Sequence, residues 1–157
     1  MKQAINNFLG QQKLAIAGAS PNKDNFGKYL MQELTKIGKD IYPVNPRYRE
    51  IEGTPCVGSV KDLPGDVESL ILAVPPALTD EIVGQAIGSG IKRIWMIQGV
   101  GRGAYSESAH QKCTDNNIEV VYGFCPMMLF GKGMHRFHFW FRKTFGKLPG
   151  EYQLSPE

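Results

Sequence analysis

The residues with chemical promise in this 157-residue chain sit directly after short apolar runs. Gly18-Ala19-Ser20 follows residues 14–17, and Asn45-Pro46-Arg47 follows residues 41–44. Val74-Pro75-Pro76 closes the run that starts at Leu70, Gln98-Gly99 follows residues 94–97, and Cys125-Pro126 comes shortly after residues 120–122. Small residues such as Gly18 and Ala19 let a ligand approach backbone N–H groups closely. A helix opening near Asp24-Asn25-Phe26-Gly27 would add free N–H groups and a positive dipole end, which is the chemistry of holding a phosphate. One Gly-Ala-Ser segment is only a tight turn. Five such transitions delivered to one edge of a sheet would make a site.

The residue types narrow the ligand. The dinucleotide fingerprint G-x-G-x-x-G is absent from the first turn, which reads Gly18-Ala19-Ser20-Pro21-Asn22-Lys23. The second run ends in Asn45-Pro46-Arg47, where an NAD site would place an acid against the ribose diol. An arginine there favours an extra ribose phosphate, which both NADP and coenzyme A carry. Arg49 reads as a solvated surface charge. Gly99-Val100-Gly101-Arg102-Gly103-Ala104 does match G-x-G-x-x-A. It comes late in the chain, however, and Glu119, 20 residues after Gly99, opens its strand on the wrong edge. It reads as a flexible loop.

The elements that must position these residues follow from the apolar pattern. The runs are continuous rather than alternating, as in strands buried on both faces of a parallel sheet. Tyr29, Leu30, Leu34 and Ile37 mark a helix stopped by Gly38, and Ile82, Val83, Ala86 and Ile87 mark a second, with Thr79 or Asp80 as its N-cap. Residues 105–117 predict a weaker helix, and Pro55-Cys56-Val57 a short strand. Strand alternating with helix specifies a Rossmann-type α/β fold, doubly wound, with a mainly parallel sheet and helices on both faces. The expected strand order is 3-2-1 followed by 4-5-6, with ligands bound at the switch point outside the strands' carboxyl ends.

Composition sets the remaining bounds. With 42% hydrophobic and 21% charged residues the chain reads as one soluble domain. A net charge of +3 suits a phosphorylated small ligand and is too small to argue for nucleic acid. Cys56, Cys113 and Cys125 lack metal or disulfide spacing, which fits a reducing cytoplasm. No signal-peptide core and no bilayer-length apolar run is present, so no membrane role is expected.

Four segments together resemble a known family. They are Ile16-Ala17-Gly18-Ala19-Ser20, Tyr42-Pro43-Val44-Asn45-Pro46, Trp95-Met96-Ile97-Gln98-Gly99-Val100 and Cys125-Pro126-Met127-Met128. They resemble the small stand-alone CoA-binding domain proteins, which are similar to the CoA-binding domain of the succinyl-CoA synthetase alpha subunit. The resemblance covers roughly residues 10–130. It implies that Gly18, Ala19 and Ser20 contact the CoA phosphates and that Asn45, Pro46 and Arg47 meet the nucleotide end. Val74 and Pro75 would pack on the adenine or pantetheine arm. Ile97, Gln98 and Gly99 would line the path to the thiol, with Cys125 and Pro126 near its end. The synthetase's phosphorylated histidine has no counterpart among His110, His135 and His138. The expectation is therefore a CoA or acyl-CoA binding module acting as sensor, carrier or regulator. An NADP-linked oxidoreductase using the same edge, with Tyr105 or Tyr122 as proton donor, is the alternative.

Residues 1–130 are expected to form the binding domain and residues 131–157 a helical extension. Met134, Phe137, Phe141 and Phe145 fall on one helical face beside Trp140, ringed by Lys132, Arg136, Arg142, Lys143 and Lys147. That face would pack on the sheet or on the mate in a homodimer. Alternatively, its basic residues would close over the ligand's phosphates. A single-stranded nucleic-acid platform fits least, because the stripe is apolar on one face. His135 and His138 lack a third ligand type at matching spacing and read as surface histidines. Cys125 reads as a buried, inert cysteine, with exchange against a CoA thiol as the sharper possibility.

Overall fold

The computed structural model describes residues 1–98 and 103–130. Its centre is a five-stranded, wholly parallel sheet built from β1 (Lys13–Ala17), β2 (Asp40–Val44), β5 (Ser69–Leu72), β6 (Arg93–Met96) and β7 (Glu119–Tyr122). The order across the sheet is β2-β1-β5-β6-β7. All of β5 is buried, and β1 and β6 are buried beyond their first residue, so the continuous apolar runs do mark strands covered on both faces. The strand order reverses direction after β1, so with right-handed crossovers α2 (Phe26–Lys36) covers one face and α3 (Pro76–Ala86) and α4 (Glu107–Asp115) the other. The expected doubly wound Rossmann-type fold is the observed one.

The third expected strand is reduced to a remnant. Glu50–Ile51 (β3) and Thr54–Pro55 (β4) form a separate hairpin whose turn residues, Glu52 and Gly53, both have positive φ. That is the turn chemistry that favours two-residue hairpins. Beyond it only Val57 reaches the sheet, through one parallel bridge to Val44. The position outside β2 is thus occupied as anticipated, by a single residue pair instead of a strand.

Helix boundaries differ from the sequence reading in instructive ways. α3 begins at Pro76, three residues before the expected caps, because proline suits a first helical position where no N–H is needed. Thr79 lies inside the helix, fully buried, and its Oγ1 donates to the Ala104 carbonyl at 2.7 Å. In α2 the buried face is Gly27, Leu30, Met31 and Leu34, whereas Tyr29 and Ile37 are exposed. α4 opens on Ser106, whose hydroxyl caps the Ala109 N–H. An unanticipated helix, α1 (Lys2–Leu9), buries Ile5 and Phe8. Phe8 meets the indole of Trp95 edge-on at 5.2 Å, and the Trp95 Nε1–H donates to the Phe124 carbonyl. A short helix, α5 (Met127–Phe130), follows β7. No helix among the described residues is long and apolar enough to cross a membrane. The aromatic and basic stripe expected at 131–157 lies outside the described residues.

Asp80 ties α3 to α4. Hydroxyls of Ser106 and Ser108 and the Lys112 ammonium hold its carboxyl at about 2, well below its ordinary value. A carboxylate depressed by folding stabilises the native state above about pH 4 and stops doing so as pH falls through 2. The thermal midpoint of the wild type should therefore fall more steeply between pH 4 and 2 than that of Asp80→Asn. Asp80 is a third exposed, so solvent screening keeps the difference small. Parallel acid profiles for the two proteins would contradict the assignment.

Candidate nucleotide-binding edge

Strand register brings the candidate residues into one row. Ala17 pairs with Val44 on one side and Leu72 on the other, Leu72 with Met96, and Met96 with Tyr122. The next residues, Gly18, Asn45, Ala73, Ile97 and Gly123, therefore leave the sheet side by side at its carboxyl edge. At strand spacings of about 4.8 Å, the row from Asn45 to Gly123 spans about 19 Å. β1 and β5 are neighbours from which the chain winds in opposite directions, which makes the gap between them the switch point.

The loop after β1 is shaped by two glycines. Gly18 has φ +98°, and a Cβ there would lie 2.3 Å from the Ala73 carbonyl oxygen and 2.8 Å from Val74 Cγ1. Gly27, in the first turn of α2, lies so close to the loop that its Cβ would sit 2.8 Å from the Ala19 N and Cα and from the Gly18 carbonyl oxygen. The start of the helix is thereby pressed against the loop, as close backbone packing in such folds demands. Gly27 does the work of the glycine that the missing fingerprint would supply.

Two asparagines hold the loop in place. Asn25 caps α2: its Oδ1 accepts from the Lys28 N–H at 2.7 Å and from the Ser20 N–H at 3.0 Å. Its Nδ2 donates to the Gly18 carbonyl at 3.1 Å. Asn45, at the end of β2, donates from Nδ2 to the Ala19 carbonyl at 2.8 Å and accepts the Arg47 N–H at 3.0 Å. Both loop carbonyls are thus bonded, and so are the Gly18 N–H, to the Val44 carbonyl at 3.4 Å, and the Ser20 N–H, to Asn25. The Phe26 and Gly27 N–H groups and the Ser20 hydroxyl have no acceptor or donor partner among the described residues. Such a helix start, with bare N–H groups, attracts anions.

The other expected residues fall along the same edge. Pro46 and Arg47 are exposed, and the Arg47 guanidinium makes no ion pair among the described residues. Val74 is half-buried against Gly18, and exposed Pro75 is the N-cap of α3. Ile97 is buried, and its carbonyl accepts the Ala104 N–H at 2.7 Å, closing the intervening loop at its base. The Gln98 N–H donates to the Phe124 carbonyl at 3.0 Å. Gly99, and the rest of the G-x-G-x-x-A match through Arg102, lie outside the described residues. Pro126 is buried beside Cys125.

Cys125 is buried, and that burial pushes its thiol up, with the backbone of Met127 and Met128 pulling it partly back. Cys56 is likewise raised by burial, and burial alone pushes Cys113 up to about 12. Thiolate chemistry at neutral pH is disfavoured at all three, which agrees with the inert reading of Cys125. Glu119 stands at the opposite edge, bonded to Asn7 at 2.8 Å and 3.6 Å from the Arg93 Nε, so it has no part in the site. No cluster of three metal-ligating side chains occurs among the described residues.

Sequence reasoning missed Asn25 and Gly27 as site residues. The signals were present: an asparagine opening a helical pattern and an isolated glycine within it.

Comparison with known proteins places this arrangement. A segment of 70 residues, 45% of the chain, is 40% identical to the ADP-forming acetate–CoA ligase I of Archaeoglobus fulgidus. A 91-residue segment, 57% of the chain, is 30% identical to the alpha subunit of the ADP-forming acetate–CoA ligase II of Pyrococcus furiosus. Those matches span only 10% and 20% of the two ligase chains. The solved structure of a hypothetical protein from Pyrococcus horikoshii superposes with a TM-score of 0.73 at 34% identity, over 80% of this chain and 86% of that one. The model of the CoA-binding domain family matches residues 12–130, from the start of β1 through α5, and this chain belongs to that family.

Proposed function

We propose that this protein binds coenzyme A or an acyl-CoA at the carboxyl edge of its sheet, as a sensor, carrier or regulator without catalysis of its own. The observation that carries the reading is the loop from Gly18 to Ser20, clamped by Asn25 and Asn45 against Gly27 beside the open N–H groups at the start of α2, inside a segment that matches the CoA-binding domain. Phosphates would dock on Gly18, Ala19, Ser20 and the first N–H groups of α2. Arg47, with Asn45 and Pro46, would face the ribose phosphate. Val74 and Pro75 would meet the arm of the ligand, and Ile97, Gln98, Cys125 and Pro126 would border its thiol end. The ligases match over a small part of their length, so binding is what carries over and ligase chemistry is not part of the proposal.

Calorimetric titration with CoA, dephospho-CoA, NADP and NAD tests it. CoA should bind most tightly, and the two nicotinamide dinucleotides should bind far more weakly. Absence of CoA binding at millimolar ligand would overturn the reading. NADP binding with hydride transfer would favour an oxidoreductase in its place. One charge-assisted contact from Arg47 should make CoA about tenfold tighter than dephospho-CoA. Arg47→Gln should erase that ratio while leaving dephospho-CoA affinity unchanged. A ratio unaltered in the variant would remove Arg47 from the site.

A further inference from the structure

Four large apolar side chains are exposed among the described residues: Phe26 (40%), Tyr29 (37%), Leu78 (46%) and Ile37 (48%). Ile37 caps the far end of α2. The other three occupy the opening turns of the two helices that start at the ligand edge. Phe26 and Tyr29 lie one turn apart on α2, their rings 6.0 Å from centre to centre. Leu78 is the third residue of α3, just past Val74 and Pro75. Because α2 and α3 cover opposite faces, these side chains flank the switch-point crevice between β1 and β5 from both sides. Exposed apolar groups set beside a polar loop and open helix N–H groups are the usual composition of a small-molecule cleft.

The direction of the crevice can be read along the row. On α2, Lys28 and Gln32 reach Glu52 of the hairpin beside β2, at 3.4 and 3.2 Å, and Phe26 and Tyr29 stand on the other flank of the helix. The aromatic pair thus lies on the far side of the phosphate loop from Arg47. Resting on the CoA reading above, we propose that Phe26 and Tyr29 on one side and Leu78 on the other form the apolar walls that take the pantetheine arm. These walls then select CoA over nucleotides that carry the same phosphates. The arm has an apolar gem-dimethyl group and methylene stretches to bury against them, and the nucleotide half does not.

The test compares CoA with 3′-phosphoadenosine 5′-diphosphate, the nucleotide half without the arm, in the wild type and in the Tyr29→Ser/Leu78→Ser double variant. Both side chains are exposed, so the core is untouched and an unchanged thermal midpoint verifies the fold. The wild type should prefer CoA by at least tenfold. The double variant should bind the nucleotide as before and lose that preference. An unchanged preference, or equal weakening of both ligands, overturns the proposal while leaving the CoA reading standing. Failure of the wild type to bind either ligand overturns both.

Discussion

Replacing Gly18 with alanine should destabilise the protein by about 3 kcal/mol and abolish CoA binding. Two costs add. An L-residue in left-handed backbone loses about 1–2 kcal/mol, and Gly18 has φ +98°. The new methyl would also sit 2.3 Å from the Ala73 carbonyl oxygen, which belongs to the neighbouring strand exit and cannot rotate away. Overpacking of that kind costs about 1–3 kcal/mol. For a domain of this size the thermal midpoint should fall by about 6–12 °C. The loop that survives would be displaced from Val74 and Gly27, and with it the donors aimed at phosphate. A variant with wild-type midpoint and wild-type CoA affinity would show that the close approach of loop and strand is not required.

Asn25→Asp separates binding from stability. The carboxylate can still accept from the Ser20 and Lys28 N–H groups, and a negative charge is favoured at a helix start by about 0.3–1 kcal/mol. The lost donation to the Gly18 carbonyl costs about 1 kcal/mol, so the net change in stability is under about 1 kcal/mol. Binding responds differently. A carboxylate roughly 8 Å from a bound phosphate repels it by about 2 kcal/mol at an effective dielectric of 20, or about thirtyfold in affinity. Part of the loss should recover in high salt, which screens the repulsion. Equal CoA affinity in the two proteins would place the phosphates elsewhere.

How much of this could be read from the residues depended on whether the signal was local. The strand ends were legible because each buried strand is an unbroken apolar run stopped by glycine, proline or a small polar residue. Parallel order then aligned those ends without further information. Val57 was harder, since a one-residue bridge leaves no run to detect. α1 carries only Ile5 and Phe8 as buried anchors, and their partner, Trp95, is distant in sequence. The α2 stripe was misplaced because Tyr29 and Ile37 are apolar without being inward. That misreading is informative, for Tyr29 is exposed in the opening turns of α2. Asn25 and Gly27 declare their roles only through contacts with Gly18, Ala19 and Ser20, residues five to nine positions earlier. A capping asparagine and a glycine within a helical pattern were visible, but which loop they hold was not.

The central claim is a location as well as a ligand, and amide NMR reads both at once. Titrating CoA into ¹⁵N-labelled protein should shift the Ala19, Phe26 and Gly27 amides most, through direct contact with phosphate. Arg47 and Gln98 should follow, on either side of the loop, while Lys39, Glu68 and Glu119 at the opposite edge stay still. A spectrum unmoved by CoA, or one whose shifts gather at that opposite edge, would contradict the account.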